Sequence, residues 1–416
     1  MHILLVHQYF LGRNDAGGSR WNQFAKYWAA AGHEVTVLAG TVHYAKGVKE
    51  PQYKGRFAVR EAESPGVTVW RCHVSEAYNR SFLGRLWAYG SFTLSSTLVG
   101  LCRVKRPDVI VATSPPLTVA PTLRLLAGRY RVPGVFEVRD LWPESAIDTG
   151  VLTSRPLIKA SYRMEAMGYR AASLINVLTP AFREALIATK GVEPERLIMI
   201  PNGADLDIMR PGPKDNEVRR RLGLTDKYVV SYFGAHGRAN RVGQLLDVAA
   251  RIRDTHPDVR LMLVGDGMEK PDLVADATRR GLDNVVFVDS VPKDRVCDYI
   301  NASDVCTAVL MRNETFKTVY PNKVFDYMSC RRPIIIGIDG VARQFVADAG
   351  AGLYAEPENT DAFVAALDQL RADPAAAERM GAAGLAYVRE HYDRRVLAER
   401  YLAHLEAVVQ EGRRRR

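Results

Sequence analysis

A chain of 416 residues, 47% hydrophobic and 25% charged, suits two soluble globular domains, each large enough for its own core. The net charge of +10 and the pI of about 9.3 call for anionic company, whether nucleic acid, lipid headgroups or a diphosphate substrate. The five cysteines, Cys72, Cys102, Cys297, Cys306 and Cys330, show no metal or redox spacing, which excludes a stapled framework and fits a reducing cytoplasm.

Residues 1–6 are short and apolar without a basic lead, so they read as a first strand and not as a signal peptide. A turn-rich loop over 12–18 leads into a helix that Ser19 or Gly18 can cap and that Gly32-His33 ends. Strand 34–39 completes a β-α-β unit. Gly17 and Gly18 let backbone approach a phosphate or sugar, and Arg20 can add charge there. Residues 41–67 are basic and without pattern, and they predict a mobile flap with acceptor-binding surface as one use.

From Leu86 to Cys102 no residue is charged, while Arg85, Arg103, Lys105 and Arg106 flank the run. Its many Gly, Ser and Thr residues and the strand that follows exclude a membrane span. Two readings stay open for 82–103: a helix whose aromatics pack on the core, or one that dips Phe82, Leu83, Trp87 and Tyr89 into a bilayer surface.

Strands follow at 109–112 and 134–138. The second runs into Arg139-Asp140-Leu141-Trp142-Pro143-Glu144-Ser145, three charges and a Trp just past a buried strand. Asp140 and Glu144 are candidates for gripping sugar hydroxyls or handling protons, with helix capping the plain alternative. A helix over 157–171 and strands at 173–177 and 197–200 close the first half, and Pro201-Asn202-Gly203 is a turn. Asp205-Leu206-Asp207 matches a short metal pattern, but three residues carry little information and no metal is expected.

The second half restarts the rhythm. Strand 228–233 ends in Gly234, with His236, Arg238 and Arg241 on the following loop. Strand 261–264 ends in Gly265-Asp266-Gly267, and strand 285–288 leads to Val291. After strand 304–310, Pro321 and Asn322 open a helix on which Val324, Tyr327 and Met328 share an apolar face. Arg331-Arg332-Pro333 stops it, and 334–336 reads as a buried strand. The helix start offers free amides and partial positive charge; Lys323 adds a full charge and Asp326 an acceptor one turn on. This is a seat for a nucleotide, with cation and amides for phosphate and carboxylate for ribose. Residues 374–409 are helical by pattern.

The stretch 321–328 followed by a Pro and an apolar strand resembles the donor-site signature Pro-x-Lys-x-x-Glu-Tyr-Met of family 4 glycosyltransferases of the GT-B fold. The branch it is most similar to transfers deoxy-aminohexoses such as N-acetylfucosamine in bacterial surface polysaccharide assembly. Asp326 stands where the family has its second Glu, Thr318 where it has the first, and Glu314 lies out of register. The resemblance implies an α/β protein with two Rossmann-like domains facing a cleft: an acceptor domain over 1–200, a nucleotide-sugar domain over 201–390, and a C-terminal helix and basic tail over 391–416 that packs back on the first domain. It implies a retaining, metal-independent transfer from a UDP-sugar to a lipid-linked saccharide by a cytoplasmic enzyme on the inner face of the membrane, touching it through 82–103. Gly17 and Gly18 would lie at the donor diphosphate, and Asp140 and Glu144 at the donor sugar or acceptor. Gly234, Gly265, Val291, Asn322, Lys323 and Asp326 would line the nucleotide pocket. Ala235 stands where the family has its first phosphate arginine, Arg241 takes the second position, and His236 or Arg238 would substitute for the lost one. The competing classes make different demands. An NAD-dependent oxidoreductase needs a Gly-x-Gly-x-x-Gly after strand one, which is absent, and a nucleic-acid-binding protein needs clustered cations, whereas these are dispersed.

Overall fold

The computed structural model describes residues 1–12, 20–42, 47–77 and 81–414. It divides into unit 1, Met1–Pro201 with Arg395–Arg416, and unit 2, Asn202–Arg394.

Unit 1 is built on eight strands: β1 (His2–Val6), β2 (Glu34–Gly40), β3 (Ala58–Ser64), β4 (Val67–Cys72), β5 (Val109–Ser114), β6 (Gly134–Val138), β7 (Leu174–Val177) and β8 (Leu197–Met199). They lie in the order β3-β4-β2-β1-β5-β6-β7-β8. Every pair is parallel except β3 with β4. Leu4 stands opposite Thr36 on one side and Ile110 on the other. Helices cover both faces, which is why β1 and β5 are buried along their whole length and read as continuous apolar runs.

On one face helix Arg20–Ala30 meets helix Arg394–Arg414. Trp21, Phe24 and Trp28 pack there against Tyr401, with the Trp28 and Tyr401 rings stacked at 5.7 Å. Trp28 Nε1 also donates to the Ala398 carbonyl at 2.9 Å. The C-terminal helix therefore completes the core of the first-made unit.

Residues 41–67, expected to form a flap without pattern, contain regular elements. Residues 51–53 form a short 3-10 turn, and 58–64 are β3, antiparallel to β4 through a turn where Gly66 has φ 77°. Pro65-Gly66 followed by Val67-Thr68-Val69-Trp70 carried that signal. Arg60, Glu61 and Glu63 place charge on this outer strand and blunt an edge that would otherwise invite pairing. The helical tract 374–409 is two helices, Pro374–His391 and Arg394–Arg414, broken where Asp393 bridges to Ala204.

Unit 2 holds β9 (Tyr228–Phe233), β10 (Val259–Val264), β11 (Val285–Val288), β12 (Val305–Val309), β13 (Ile334–Gly337) and β14 (Gly352–Tyr354). They are all parallel, in the order β11-β10-β9-β12-β13-β14. Separate apolar clusters fill the two sides of the sheet. The chain moves outward from β9 first to one side and then to the other, so the topological switch lies between β9 and β12. Ligands of doubly wound sheets bind outside the carboxyl ends of strands at such a point.

Candidate functional site

At that switch point β9 ends in Gly234, with φ 138°, and β10 ends in Gly265, with φ 146°. The two loops touch: a Cβ on Gly265 would stand 1.9 Å from the Gly234 carbonyl oxygen, and one on Gly267 2.5 Å from that of His236. Lys270 ties the edge further, donating to the Gly265 and Val288 carbonyls at 2.8 and 3.2 Å and to Asp289 at 2.6 Å. Nothing in the sequence marked this lysine, because its partners lie on two other loops.

Lys323 rises from the first turn of helix Asn322–Ser329 toward Gly234, where an added Cβ would lie 3.0 Å from its Nζ. The Nζ is buried, has no hydrogen-bond partner among the described residues, and sits 3.8 Å from the centroid of the Tyr232 ring. Burial alone lowers its pKa to about 7. A buried cation held only by a ring face is costly in the free protein, and an anion at Gly234 would relieve that cost. Tyr232 carried no signal beyond its place in a strand; its hydroxyl donates to the Ala235 carbonyl at 2.9 Å.

Asp326, one turn along, is pushed up to about 6 by burial, an effect that Lys293 and Arg394 oppose and Asp205 reinforces. Asp205 is buried against Lys293 at 3.2 Å and Arg394 at 3.4 Å. Its charge is thus met by two cations, and among the described residues no cluster of carboxylates, histidines and cysteines suits a metal ion. Asn322 is exposed at the helix start and Val291 is half-buried on the loop after β11.

His236 does not supply the missing phosphate cation. It is fully buried against Tyr232 and Phe287, and burial, aided by Lys270, lowers its pKa to about 4, so the ring is neutral near pH 7. Arg238 is exposed. Arg241 is also exposed, has φ 47°, and its Nε lies 3.8 Å from Glu358. Thr318 donates its hydroxyl to the Thr315 carbonyl, and Glu314 pairs with Lys317 at 2.7 Å.

In unit 1, Gly17 and Gly18 lie outside the described residues. Arg20 departs from its expected role: it is buried, with Nη1 2.5 Å from Glu137 and Nη2 donating to the Ile200 carbonyl at 2.8 Å. Its charge neutralises a carboxylate inside the sheet and is not presented to a ligand. Asp140 follows β6 and accepts from the Ser145 hydroxyl at 3.0 Å, while burial pushes its carboxyl up. Glu144 is ion-paired to Lys190, which also holds Glu165 at 2.9 Å. That lysine comes from a different helix, and sequence spacing gave no sign of it.

Residues 16–203 match the family model of the glycosyl transferase 4-like domain, and residues 227–373 that of glycosyl transferases group 1. The chain is a glycosyltransferase with the GT-B fold. An Escherichia coli K12 glycosyl transferase named for colanic acid biosynthesis, WcaI, is 25% identical to this glycosyltransferase over 85% of the chain and 88% of the relative. Sucrose-phosphate synthase of Thermosynechococcus elongatus superposes with a TM-score of 0.74 at 18% identity, covering 99% of both chains. Anabaena HepE, solved in complex with UDP and glucose, superposes with a TM-score of 0.71 at 17% identity over 98% of this chain and 100% of its own. The glycine-paired loops and the buried lysine described above fall within the group 1 domain of the glycosyltransferase.

Proposed function

We propose that this glycosyltransferase moves an N-acetylated hexosamine or deoxyhexosamine, of the N-acetylfucosamine type, from a UDP-sugar to a lipid-linked saccharide in surface polysaccharide assembly. The transfer retains anomeric configuration and uses no divalent ion. The observation that carries the reading is the unpartnered Lys323 amine aimed at Gly234 beside the β9–β12 switch. Glycosyl transfer needs charge stabilised on the departing diphosphate, and a buried cation with a glycine-opened approach can do that in low dielectric. Lys323 and the amides opening its helix hold the diphosphate, joined by Arg238 and Arg241 once their exposed side chains swing onto it. Asp326 takes the ribose hydroxyls. Asp140 and Glu144 position donor sugar or acceptor hydroxyl. HepE's complexes with UDP support a uridine donor, and the colanic acid relative supports a surface saccharide. No helix among the described residues is long and apolar enough to cross a membrane. The lipid-linked acceptor is reached instead by peripheral contact through 82–103 on the inner face of the cell membrane.

Thermal-shift screening against a panel of sugar nucleotides, followed by transfer assays with the hits, tests the reading. A UDP-sugar should raise Tm in proportion to the logarithm of its concentration, and Lys323→Ala should abolish the shift. A shift that survives in Lys323→Ala would move the donor elsewhere.

A further inference from the structure

Three helices of unit 1, Phe82–Cys102, Val119–Tyr130 and Arg155–Ala171, pack side by side over the sheet. On the first, Leu83, Trp87, Leu94, Leu98 and Leu101 are 74%, 62%, 58%, 41% and 38% exposed. At roughly 100° per residue these five fall on one arc of about 60°, and at about 1.5 Å per residue the stripe runs about 27 Å. An amphipathic helix inside a protein points such a stripe at the core; this one points it at solvent. Leu125 on the middle helix, 56% exposed, stands outside as well.

The charge of the same layer is one-sided. The middle helix exposes Arg124 and Arg129, and the third exposes Arg155, Lys159, Arg163 and Arg170. The three helices contain a single acidic residue, Glu165, which is buried and held by Lys190 and Tyr169. Among the described residues none of the four cations on the third helix meets a carboxylate. Tyr162, 38% exposed, lies among them. A second copy of this face would set like charges against each other, and nucleic acid offers nothing to the leucine stripe. A surface that is both anionic and apolar just beneath satisfies both halves.

We propose that this three-helix layer docks on bilayers containing anionic phospholipid, the stripe of helix Phe82–Cys102 entering the headgroup–acyl boundary while helix Arg155–Ala171 holds the lipid phosphates. The inference rests on the membrane contact proposed above for 82–103 and adds the lipid charge and the second element that reads it. The helices then lie in the plane of the bilayer, and the carboxyl edge of the unit 1 sheet, with Asp140, faces along the membrane surface where a lipid-borne saccharide stands.

The test is co-sedimentation of the full chain with vesicles of phosphatidylcholine alone and of phosphatidylcholine doped with phosphatidylglycerol. Binding should be at least tenfold tighter on the doped vesicles and should weaken with salt. Joint replacement Arg155→Glu, Lys159→Glu, Arg163→Glu and Arg170→Glu should erase that preference. Trp87→Ser with Leu94→Ser should weaken binding to both vesicles. All these positions are exposed, and unchanged circular-dichroism melts report that the variants fold. Equal binding to both vesicles, or a preference that survives the four glutamates, overturns the inference while leaving contact through 82–103 in place. Binding unaffected by the Trp87 and Leu94 changes sinks that contact itself. A dimer in sedimentation velocity that those two changes dissolve, with no vesicle binding, replaces both with self-association.

Discussion

At the residue scale the buried amine of Lys323 sets the pH behaviour of the site. Its pKa in the free protein is about 7, below the 10.5 of a solvated lysine. A diphosphate held by this amine, as proposed, would bind the protonated form and raise that value again. Donor affinity should therefore be full on the acid side of 7 and fall up to tenfold per pH unit as pH rises through it. Calorimetry in buffers of differing ionisation enthalpy should show proton uptake on UDP binding at about pH 8. Binding without proton uptake would place the anion away from this amine. Lys323→Ala should cost roughly 2 kcal/mol or more of transition-state stabilisation, read from kcat/KM.

Asp326 titrates in the opposite sense. Its folded pKa of about 6 lies above the 3.8 of a solvated aspartate, so the ionised carboxylate costs stability above pH 6, and the cost is relieved as pH falls from 6 toward 3.8. Asp326→Asn should raise Tm at neutral pH by about 2–4 °C, and by less at about pH 4.5. The same change should weaken nucleotide binding if the carboxylate holds ribose. Glu137 is different because its partner is fixed: Glu137→Gln leaves the buried Arg20 guanidinium short of its counter-charge and should cost about 3–5 kcal/mol in urea unfolding.

At the scale of elements, the crossing of the loops after β9 and β10 depends on atoms that are absent. Gly265→Ala puts a methyl 1.9 Å from the Gly234 carbonyl at a φ of 146°, so the loops must separate. The variant should lose UDP binding in calorimetry and unfold at lower urea, by about 2 kcal/mol. Glycines after strands and a lysine in the first turn of a helix are local signals, so these loops and this helix start stood out in the sequence. The Lys323–Tyr232 stack, the Lys190 bridge to Glu144 and the Arg20–Glu137 pair were not legible, since each joins residues far apart in the chain whose spacing carries no period. His236 illustrates the same limit: its place in a loop suggested a cation, and only the tertiary packing of Tyr232 and Phe287 makes it neutral. β3 was lost for another reason: a charged outer strand lacks the apolar run that identifies the inner ones.

At the scale of the whole molecule, the repetition of strand, loop and helix through both halves made two doubly wound sheets legible from the sequence, and both units have them. The covering helix Arg394–Arg414 was legible as a helix by pattern. Its packing against Trp21, Phe24 and Trp28 joins residues nearly a chain length apart, and no local signal in the sequence reveals it. A variant ending before Arg395 exposes those three rings and should leave unit 1 insoluble, while unit 2 keeps its own cores; limited proteolysis with mass spectrometry should then recover a fragment near 202–394.

The split of unit 1 across both ends of the chain reverses the usual order of maturation on the ribosome. Unit 2 is contiguous and can close as soon as residue 394 clears the exit tunnel. The earlier-made aromatics must wait, wet and sticky, through the rest of the first segment and the whole of unit 2 before Tyr401 arrives to cap them. The half translated first is thus the half finished last, and a holdase that shelters Trp21, Phe24 and Trp28 in that interval would raise the yield of native protein.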